Sequence, residues 1–468
     1  MAKKNELPAI IASLFVTLAV LGGGAWFLLN QAVPKPSPNP NSPEEIETGG
    51  LEIPVSKADG SSGVALVPNP SASRQRGLDA LAERDYETAK SELTAALAEN
   101  RNDPEARIYL NNAEIGKDES YSVALVVPAN NPDATQELMR GAAQAQTEIN
   151  ADNGINGTPL KLLVINDDDE KEMAAEVAAN LVDEKSVLGV VGHFSSGTTL
   201  AAVETYENAG LTMISPTSTS VAISEAGDYI FRTVPSDRIA SATLADYAIN
   251  QLETKKAAVF YNGENDYTKS VRKEFVQEIV SDQGDIVAEF DITASGFNVT
   301  EAMREVEAQG AEVIMMALTL TPLDVPLQII SLNRRSLPLL GGDALYSPKI
   351  LNLGGENAVG LVVAVPWHIL NHQQSSFVQE AQQLWGADVN WRTVTAYDAV
   401  HTLAAGLSED PTRKGVARAL SESGFIVEGA TESVRFIPTS GDRSQSSQLV
   451  EVVSGNRSGT GFDFEPVD

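Results

Sequence analysis

From residue 121 onward, short apolar runs alternate with longer segments in which apolar residues recur every three or four positions. A short apolar run between polar turns is typical of a buried strand, and the longer spacing is typical of an amphipathic helix. Repeated strand–helix units with buried strands predict an α/β protein with doubly wound parallel sheets. Strands are therefore expected at 122–129, 160–167, 187–193, 211–216, 257–262, 286–292, 312–318, 337–343 and 360–367.

The predicted strands are too many for one open sheet, so they are expected to form two lobes. The first lobe begins with residues 121–238 and the second with residues 239–366. Towards the end of the chain, the segments 432–438 and 447–455 are expected to pair as a closing hairpin. Helices are expected between these parts at 375–386, 392–409 and 412–423.

An uncharged run from Leu7 to Leu29 dominates the N-terminal part of the chain. As a helix, this run would span roughly 35 Å, which is enough to cross a bilayer. Lys3 and Lys4 precede the run, so the positive-inside rule leaves the N-terminus in the cytoplasm. We expect residues 1–32 to be an uncleaved membrane anchor rather than a cleaved signal peptide, because no clean A-x-A site follows.

Two further segments separate the predicted anchor from the strands. Residues 33–73 begin with closely spaced prolines and continue with Ser, Gly and Glu, so they are expected to form an extended linker. Residues 74–116 show helical spacing, and Asp103-Pro104 is typical of a helix start. This segment resembles a tetratricopeptide repeat, with Arg84 where a small residue is usual. One repeat cannot form a solenoid, so we expect a spacer or docking helix set rather than a peptide-binding groove.

Composition narrows the possible partners and cofactors. The formal net charge of −31 argues against a nucleic-acid partner, because phosphate binding needs clustered Lys and Arg. The absence of cysteine excludes disulfides, thiolate catalysis and Cys-ligated zinc. His368 and His372 are spaced as neighbours on a helical face, but no acidic residue lies inside the motif. We therefore expect no metal and no other cofactor.

Candidate chemistry is sought in the loops that follow strands, since ligands of open α/β sheets bind beyond the carboxyl ends of the strands. One such loop, GHFSSGTT, approaches the nucleophile elbow G-x-S-x-G, but one additional residue separates Gly192 from Ser195. His401, the candidate base, falls inside an apolar helical segment. We therefore expect no enzyme activity. The loops considered are 192–199, 215–220, 261–268 and 341–347.

A second interpretation of GHFSSGTT fits its spacing better. Backbone N–H groups at a helix N-terminus attract a carboxylate or a phosphate, and Ser196, Thr198 and Thr199 add hydroxyl donors. The loop SPTSTS at 215–220 offers the same groups again. Simple helix capping by Ser and Thr explains either loop alone equally well. Two such loops at consecutive strand ends favour the binding interpretation.

The second lobe supplies groups of opposite character. Asp343 follows an apolar strand and could pair with the ammonium group of a zwitterion, although it could also cap a helix. Tyr267 follows the strand at 257–262 and could cover an apolar part of the ligand. If the ligand is a zwitterion, its carboxylate would meet the two hydroxyl-bearing loops and its ammonium would meet Asp343.

Five stretches within residues 121–455 carry a family likeness, namely RGAAQAQTEINADNGINGTPLKLLVIND, GHFSSGTTLAAVETYENAGLTMISPTSTS, YIFRTVPSDRIASATLADY, TAYDAVHTLAAGL and VRFIPTSGDR. Together they resemble the type I periplasmic binding proteins, and most closely the branched-chain amino acid and amide-binding proteins of ABC transporters. The resemblance implies two sheets joined by three crossing strands, with hinge closure over the ligand. On this basis the first lobe comprises 121–238 plus 367–432, the second 239–366 plus 433–457, and 458–468 form a C-terminal tail.

The resemblance also implies roles for individual residues. Ser196 stands where the family holds the ligand carboxylate, and Ser218 and Thr219 stand where it clasps the carboxylate and the ammonium. Tyr267 matches a tyrosine of the second lobe, and Asp343 matches the acid that pairs with the ammonium. The chain departs from the family at the end of the strand at 312–318, where Thr319 or Leu320 replaces an aromatic. The predicted ligand-binding set is Ser195, Ser196, Thr198, Ser218, Thr219, Tyr267 and Asp343.

The function implied by the resemblance is capture of an amino acid, branched-chain or related. Such a protein would be extracytoplasmic, anchored here to the cytoplasmic membrane, and would deliver its ligand to the permease of an ABC transporter. The alternative is a membrane-anchored sensory receptor that uses the same two lobes without transport. The anchor, linker and helical segment favour this alternative somewhat, since a freely diffusing transport protein does not need them.

Overall fold

The structure is a computed structural model and describes residues 54–320 and 324–467. The membrane anchor predicted at 1–32 lies outside the described residues, as does the part of the predicted linker before residue 54. Across the described ranges, no helix combines the length and the apolar composition needed to cross a bilayer.

From residue 54 to the first strand, the structure describes three α-helices, namely α1 (Ala72–Ala82), α2 (Tyr86–Glu99) and α3 (Pro104–Ile115). Each begins at a side chain that accepts a hydrogen bond from a backbone N–H of the first turn, which satisfies a donor that has no partner within the helix. Helix α3 starts at Pro104, as predicted from its position after an aspartate. The three capping residues are Ser71, Asp85 and Asp103.

The first lobe is built on a five-stranded sheet flanked by helices. Its strands are β1 (Tyr121–Val127), β2 (Leu160–Asn166), β3 (Val187–Val191), β4 (Met213–Ser215) and β5 (Ile230–Arg232). Its helices are α4 (Pro132–Ala151), α5 (Lys171–Asp183) and α6 (Ser196–Ala209). The strand order is β2-β1-β3-β4-β5 and every pairing is parallel. Strand β5 is absent from the predicted set, because three residues form too short a run to be recognised.

The N-terminal helices are packed against the edge of this sheet. Asn112 of α3 donates to the carbonyl of Leu162 at 2.9 Å and accepts from the N–H of Leu162 at 3.4 Å. The carbonyl of buried Ala58 accepts from the N–H of Val164 at 2.8 Å. Strand β2 therefore has its outer backbone groups paired, which protects an edge that would otherwise be open to other chains. Residues 54–71 thus differ from the predicted extended linker, since they lie on the first lobe.

The second lobe follows helix α7 (Asp237–Asp246) and repeats the strand–helix pattern. Its parallel strands are β6 (Lys256–Tyr261), β7 (Asp285–Asp291), β8 (Val313–Ala317), β9 (Leu339–Gly341) and β10 (Leu361–Val365). Its helices are α8 (Asp266–Ser281), α9 (Val299–Ala308) and α10 (Val325–Asn333). Every residue of β8 and β10 is buried, as expected for parallel strands covered on both faces. The prediction of an α/β fold with parallel sheets is confirmed.

The chain then returns to the first lobe before it ends in the second. Helices α11 (Ser376–Trp385), α12 (Trp391–Glu409) and α13 (Arg413–Leu420) come next, and α12 packs along α4. The short strands β11 (Val427–Glu428) and β12 (Ser433–Val434) pair with each other. The last two strands are β13 (Gln448–Ser454) and β14 (Phe462–Pro466). The chain therefore passes between the two sheets after β5, after β10 and between β12 and β13.

The predicted closing hairpin of 432–438 with 447–455 is wrong. Strand β13 instead pairs antiparallel with β10 and with β14, and the second sheet has the order β14-β13-β10-β9-β8-β6-β7. Segment 458–468, expected to be a tail, contains β14. Both differences have one cause. Strand β10 needs a further partner in the sheet, and the segment after residue 447 supplies the two strands β13 and β14 at this edge.

Candidate ligand-binding site

The loop after β3 leads directly into helix α6 and uses two of the predicted site residues as a cap. The hydroxyl of Ser195 accepts from the N–H of Thr198 at 3.3 Å, and the hydroxyl of Thr198 accepts from the N–H of Ser195 at 3.2 Å. This reciprocal pair is a capping box, which satisfies two backbone donors of the helix start. The side chains of Ser195 and Thr198 are therefore engaged in the helix cap, as the capping alternative proposed, and Thr198 also donates to Oδ1 of Asp169 at 3.5 Å.

A buried polar cluster supports this loop from below. His193 contacts the carboxylate of Asp167 at 2.7 Å through Nδ1 and the hydroxyl of Tyr206 at 2.9 Å through Nε2. All three side chains are fully buried. Both ring nitrogens of His193 are thus occupied by groups other than Ser195 and Ser196. Within this loop, all of which the structure describes, no serine hydroxyl contacts the His193 ring in the way that activates a nucleophile.

The loop after β4 packs against the loop after β3 and brings further hydroxyls close to it. Ser218 and Thr199 share a hydrogen bond of 2.7 Å, and Ser218 also donates to the carbonyl of Phe194 at 3.2 Å. Ser196 accepts from the N–H of Ser220 at 3.2 Å, so its own O–H remains available as a donor. The hydroxyl of Ser218 is therefore committed to joining the loops.

Thr219 differs from its neighbours in the same loop. Its hydroxyl oxygen is buried and has no hydrogen-bond partner within the described part of the chain. Buried polar groups are nearly always paired in folded proteins, so an unpaired hydroxyl between two lobes indicates a place for a ligand. Ser196 and Thr219 are thus the hydroxyls of this lobe that can meet a bound molecule.

The second lobe brings Tyr267 and Asp343 together. The hydroxyl of Tyr267 donates to Oδ1 of Asp343 at 2.7 Å, and both side chains are buried. Asp343 lies at the first position of a short 3₁₀ helix, Asp343–Leu345, and its side chain does not cap that helix. The capping alternative for Asp343 is therefore not supported. Burial raises the pKa of Asp343, while the Tyr267 hydroxyl and the charge of Arg392 oppose that rise.

Sequence reasoning missed a second buried acid, Asp237, at the start of α7. Its backbone N–H donates to the carbonyl of Thr219 at 2.8 Å, and within the described chain its buried Oδ2 atom has no well-aligned hydrogen bond, although the Ser270 and Thr219 hydroxyls lie beside the carboxylate. Burial raises the pKa of Asp237 to about 7, against the effect of the nearby Ser270 and Thr219 hydroxyls, and the charge of Asp343 adds to the rise. The position of Asp237 just after the first crossing between the lobes was the available signal.

A second residue missed from the sequence is Arg392, near the N-terminus of α12. The residue is half-buried, and burial lowers the pKa of its guanidinium, which lies over the ring of Trp391, 4.2 Å from the ring centroid. Nη2 contacts the backbone carbonyl of Asp343 at 3.5 Å, and Nη1 contacts that of Tyr346 at 3.4 Å. A cation of the first lobe thus reaches the acid-bearing loop of the second.

The two lobes also touch on either side of this cluster. Lys171 of α5 forms an ion pair with Asp266 of α8 at 2.7 Å. The N–H of Val221 donates to the hydroxyl of Ser270 at 3.0 Å. These contacts join the loops of the first lobe to helix α8 of the second, so the structure has the lobes in contact.

The site therefore combines groups that bind an anion with groups that bind a cation. The first lobe offers the N-terminus of α6 with the hydroxyls of Ser196 and Thr219, which suit an anion. Asp343 of the second lobe and Asp237 at the crossing between the lobes are carboxylates, which suit a cation. A ligand that carries both charges a short distance apart matches this arrangement.

Comparison with known proteins places this geometry in context. A family model described as periplasmic binding protein matches residues 120–457. An amino acid binding protein of Pseudomonas aeruginosa is 34% identical over 187 residues, which is 38% of this chain and 48% of that relative. The match thus spans about half the length of that relative. The Leu/Ile/Val-binding protein of Escherichia coli is 24% identical over 299 residues, which is 63% of this chain and 81% of that protein.

A solved structure resembles the chain over a similar extent. An ABC transporter substrate-binding protein from Desulfitobacterium hafniense, in complex with Leu, superposes with a TM-score of 0.63 at 23% identity. The superposition covers 74% of this chain and 100% of that one. The two chains share the fold of two α/β lobes.

Proposed function

The chain belongs to the periplasmic binding protein family, as its sequence motifs predict, and from that premise we propose that it captures an amino acid between its two lobes. One observation carries the proposal. The hydroxyl of Thr219 and the carboxylate of Asp237 lie buried beside each other where the lobes meet, and neither Oγ1 of Thr219 nor Oδ2 of Asp237 has a well-aligned hydrogen bond within the described chain. An amino acid supplies a carboxylate and an ammonium group in one small molecule and can pair both.

The ligand carboxylate binds to the first lobe in this proposal. The O–H of Ser196 and the hydroxyl of Thr219 donate to it, and the N-terminus of α6 adds a favourable dipole. Ser195, Thr198 and Ser218 act one step away, because their hydroxyls hold the loop in place. Loss of these three would loosen the loop rather than remove a ligand contact.

The ligand ammonium binds to Asp343, with Asp237 beside it. Tyr267 holds the Asp343 carboxylate through its hydroxyl, so the acid is oriented before the ligand arrives. Closure of the lobes removes water from the cleft and strengthens each charged contact, because the local dielectric falls. Closure is completed by contacts such as Lys171 with Asp266.

The cellular location of this capture step, and the fate of the captured ligand, are inferred from the family and from the relatives. We propose an extracytoplasmic protein that delivers its amino acid to the permease of an ABC transporter. Support comes from the family match and from the names of the relatives, which include an amino acid binding protein and a Leu/Ile/Val-binding protein. Anchoring to the cytoplasmic membrane through residues 1–32 remains part of the proposal.

Calorimetric titration of the purified full chain with the common L-amino acids tests the proposal. We expect at least one of them to bind, and we expect Asp343→Asn to weaken that binding by about 30-fold or more, because the ammonium loses its charged partner. Asp285→Asn, at an exposed position on β7, is the matched control and should bind as the unaltered chain does. Failure of every amino acid to bind would overturn the proposal, and so would unchanged affinity in Asp343→Asn.

A further inference from the structure

The amino acid held between the lobes carries, we propose, a side chain that ends in a carboxylate, and Arg392 binds that carboxylate. This inference rests on the proposed function and names its ligand class. It starts from the guanidinium of Arg392, which no ligand contact proposed so far engages.

The position of Arg392 places its guanidinium beside the expected ammonium site. Nη2 lies 3.5 Å from the backbone oxygen of Asp343, the residue whose carboxylate is expected to hold the ammonium. The ring of Trp391 supports the guanidinium from one face, which fixes its plane. A ligand anchored by its ammonium at Asp343 therefore directs its side chain towards Arg392 over a short distance.

The hydrogen-bonding capacity of Arg392 is largely unused. A guanidinium has five N–H donors, and those of Arg392 make two long contacts, at 3.4 and 3.5 Å, both to uncharged backbone carbonyls. No carboxylate among the described residues lies within ion-pair distance of it. The strong partner of a guanidinium is a carboxylate that accepts two parallel hydrogen bonds.

The nearest acids are engaged elsewhere. Glu137 is held by Arg140 and by the hydroxyl of Thr393. Oδ1 of Asp343 accepts from Tyr267, and its carboxylate is needed for the ammonium. The free donors of Arg392 are therefore left for a group that the protein does not itself provide.

The residues that the family resemblance assigns to the pocket wall agree with a polar side chain. Thr319 and Leu320 stand where the resemblance to branched-chain amino acid binding proteins leads one to expect an aromatic. Without an aromatic side chain at this position, the pocket wall does not by itself select an aliphatic ligand. A leucine side chain placed against Arg392 would desolvate the guanidinium on closure without pairing it, which is costly.

Titration of the full chain with four ligands tests the inference. L-glutamate and L-aspartate carry the proposed carboxylate, L-glutamine is the neutral isostere of L-glutamate, and L-leucine is the aliphatic control. We expect the better acidic ligand to bind about 100-fold more tightly than L-leucine, and L-glutamate at least about tenfold more tightly than L-glutamine.

Substitution at Arg392 provides the second arm. Arg392→Leu should weaken binding of the acidic ligand about 100-fold and leave L-leucine binding unchanged or improved, whereas Arg392→Lys should retain part of the preference. Arg418→Leu, at an exposed site on α13, is the matched control and should behave as the unaltered chain does. If Arg392→Leu does not fold, the ligand series and Arg392→Lys still decide the question.

The outcomes separate the two proposals. Binding of L-leucine as tightly as the acidic ligands, or retention of the acidic preference in Arg392→Leu, would overturn the ligand class and leave amino acid capture intact. Binding of no amino acid at all would overturn amino acid capture itself.

Discussion

At the scale of single residues, the hydroxyl groups of the first lobe divide into those that hold the loops and those that can meet a ligand. Ser195, Thr198 and Ser218 are paired within the protein, whereas Thr219 has a buried oxygen without a partner. The sequence could place all of them beyond the ends of strands, because spacing reveals turns. The sequence could not show which hydroxyl caps a helix and which one contacts a ligand, because that depends on side-chain pairing between separate loops.

The acids were only partly predictable for a related reason. Asp343 was recognised from its place after an apolar strand and from the family resemblance. Asp237 was missed because acidic residues are common at the start of a helix. Arg392 was missed because it is far in the sequence from the loop at 341–347 that it contacts. Only the fold brings Asp237, Asp343 and Arg392 to the same cleft.

We expect amino acid affinity to rise with pH between about 6 and 8. Burial raises the pKa of Asp237 to about 7, so the neutral carboxyl must lose its proton before it attracts the ligand ammonium. The ionised fraction changes about tenfold across this range, which limits the rise in affinity to about tenfold. Titrations at several pH values, in two buffers of different ionisation enthalpy, would measure the rise and the proton released on binding.

In the ligand-free chain, the stability of the fold changes with pH in the opposite direction to the affinity. A carboxyl whose folded pKa is raised favours folding below its unfolded pKa, and this contribution is lost as the pH rises through 7. Glu105, whose pKa burial also raises to about 7, acts in the same direction from the N-terminal helices. Burial also raises the pKa of Asp169, which lies beside Ser195, to about 6. Binding is therefore the cleaner readout, and a pH profile that stays steep in Asp237→Asn would contradict the assignment.

At the scale of elements, the strongly apolar strands were predicted well and the short or partner-dependent ones were not. Strands β1, β8 and β10 are buried along nearly their whole length, so a plain apolar run identifies them. Strand β5 has three residues, too few for a pattern. The pairing of β13 with β10 joins segments far apart in the chain, and local spacing carries no information about such a choice.

The N-terminal helices were predicted as helices but not as a cover for the sheet edge. Asn112 makes this cover, since its amide pairs with both backbone groups of Leu162 and with the carbonyl of Asp59. An asparagine inside a helix shows no sign of such a role in the sequence. The packing ties the helices to the first lobe.

Replacement of Asn112 should therefore destabilise the fold. We expect Asn112→Ala to lower the free energy of unfolding by about 3 kcal/mol, because buried backbone groups of β2 would lose their partners. Urea unfolding followed by circular dichroism measures the change. Asn352→Ala, at an exposed asparagine of the second lobe, should stay within about 0.5 kcal/mol of the unaltered chain. A loss below about 1 kcal/mol in Asn112→Ala would mean that water replaces the amide without penalty.

At the scale of the whole molecule, the two lobes and the cleft between them follow from topology. The chain crosses from one sheet to the other three times, so the lobes can move about a narrow connection while each keeps its own core. The carboxyl ends of β3 and β4 then face those of β6 and β9, which is why loops distant in sequence form one site. The strand–helix pattern predicted the two lobes, and the family resemblance predicted the crossings.

The proposed function requires an amino acid to lie in this cleft with its two charged groups on opposite lobes. A crystal structure of the full chain, grown with the amino acid that binds it in solution, would show where that ligand lies. We expect the carboxylate within hydrogen-bond distance of Ser196 and Thr219 and the ammonium within hydrogen-bond distance of Asp343. An amino acid bound outside the cleft, or one inside it that leaves Asp343 and Thr219 unpaired, would contradict this proposal.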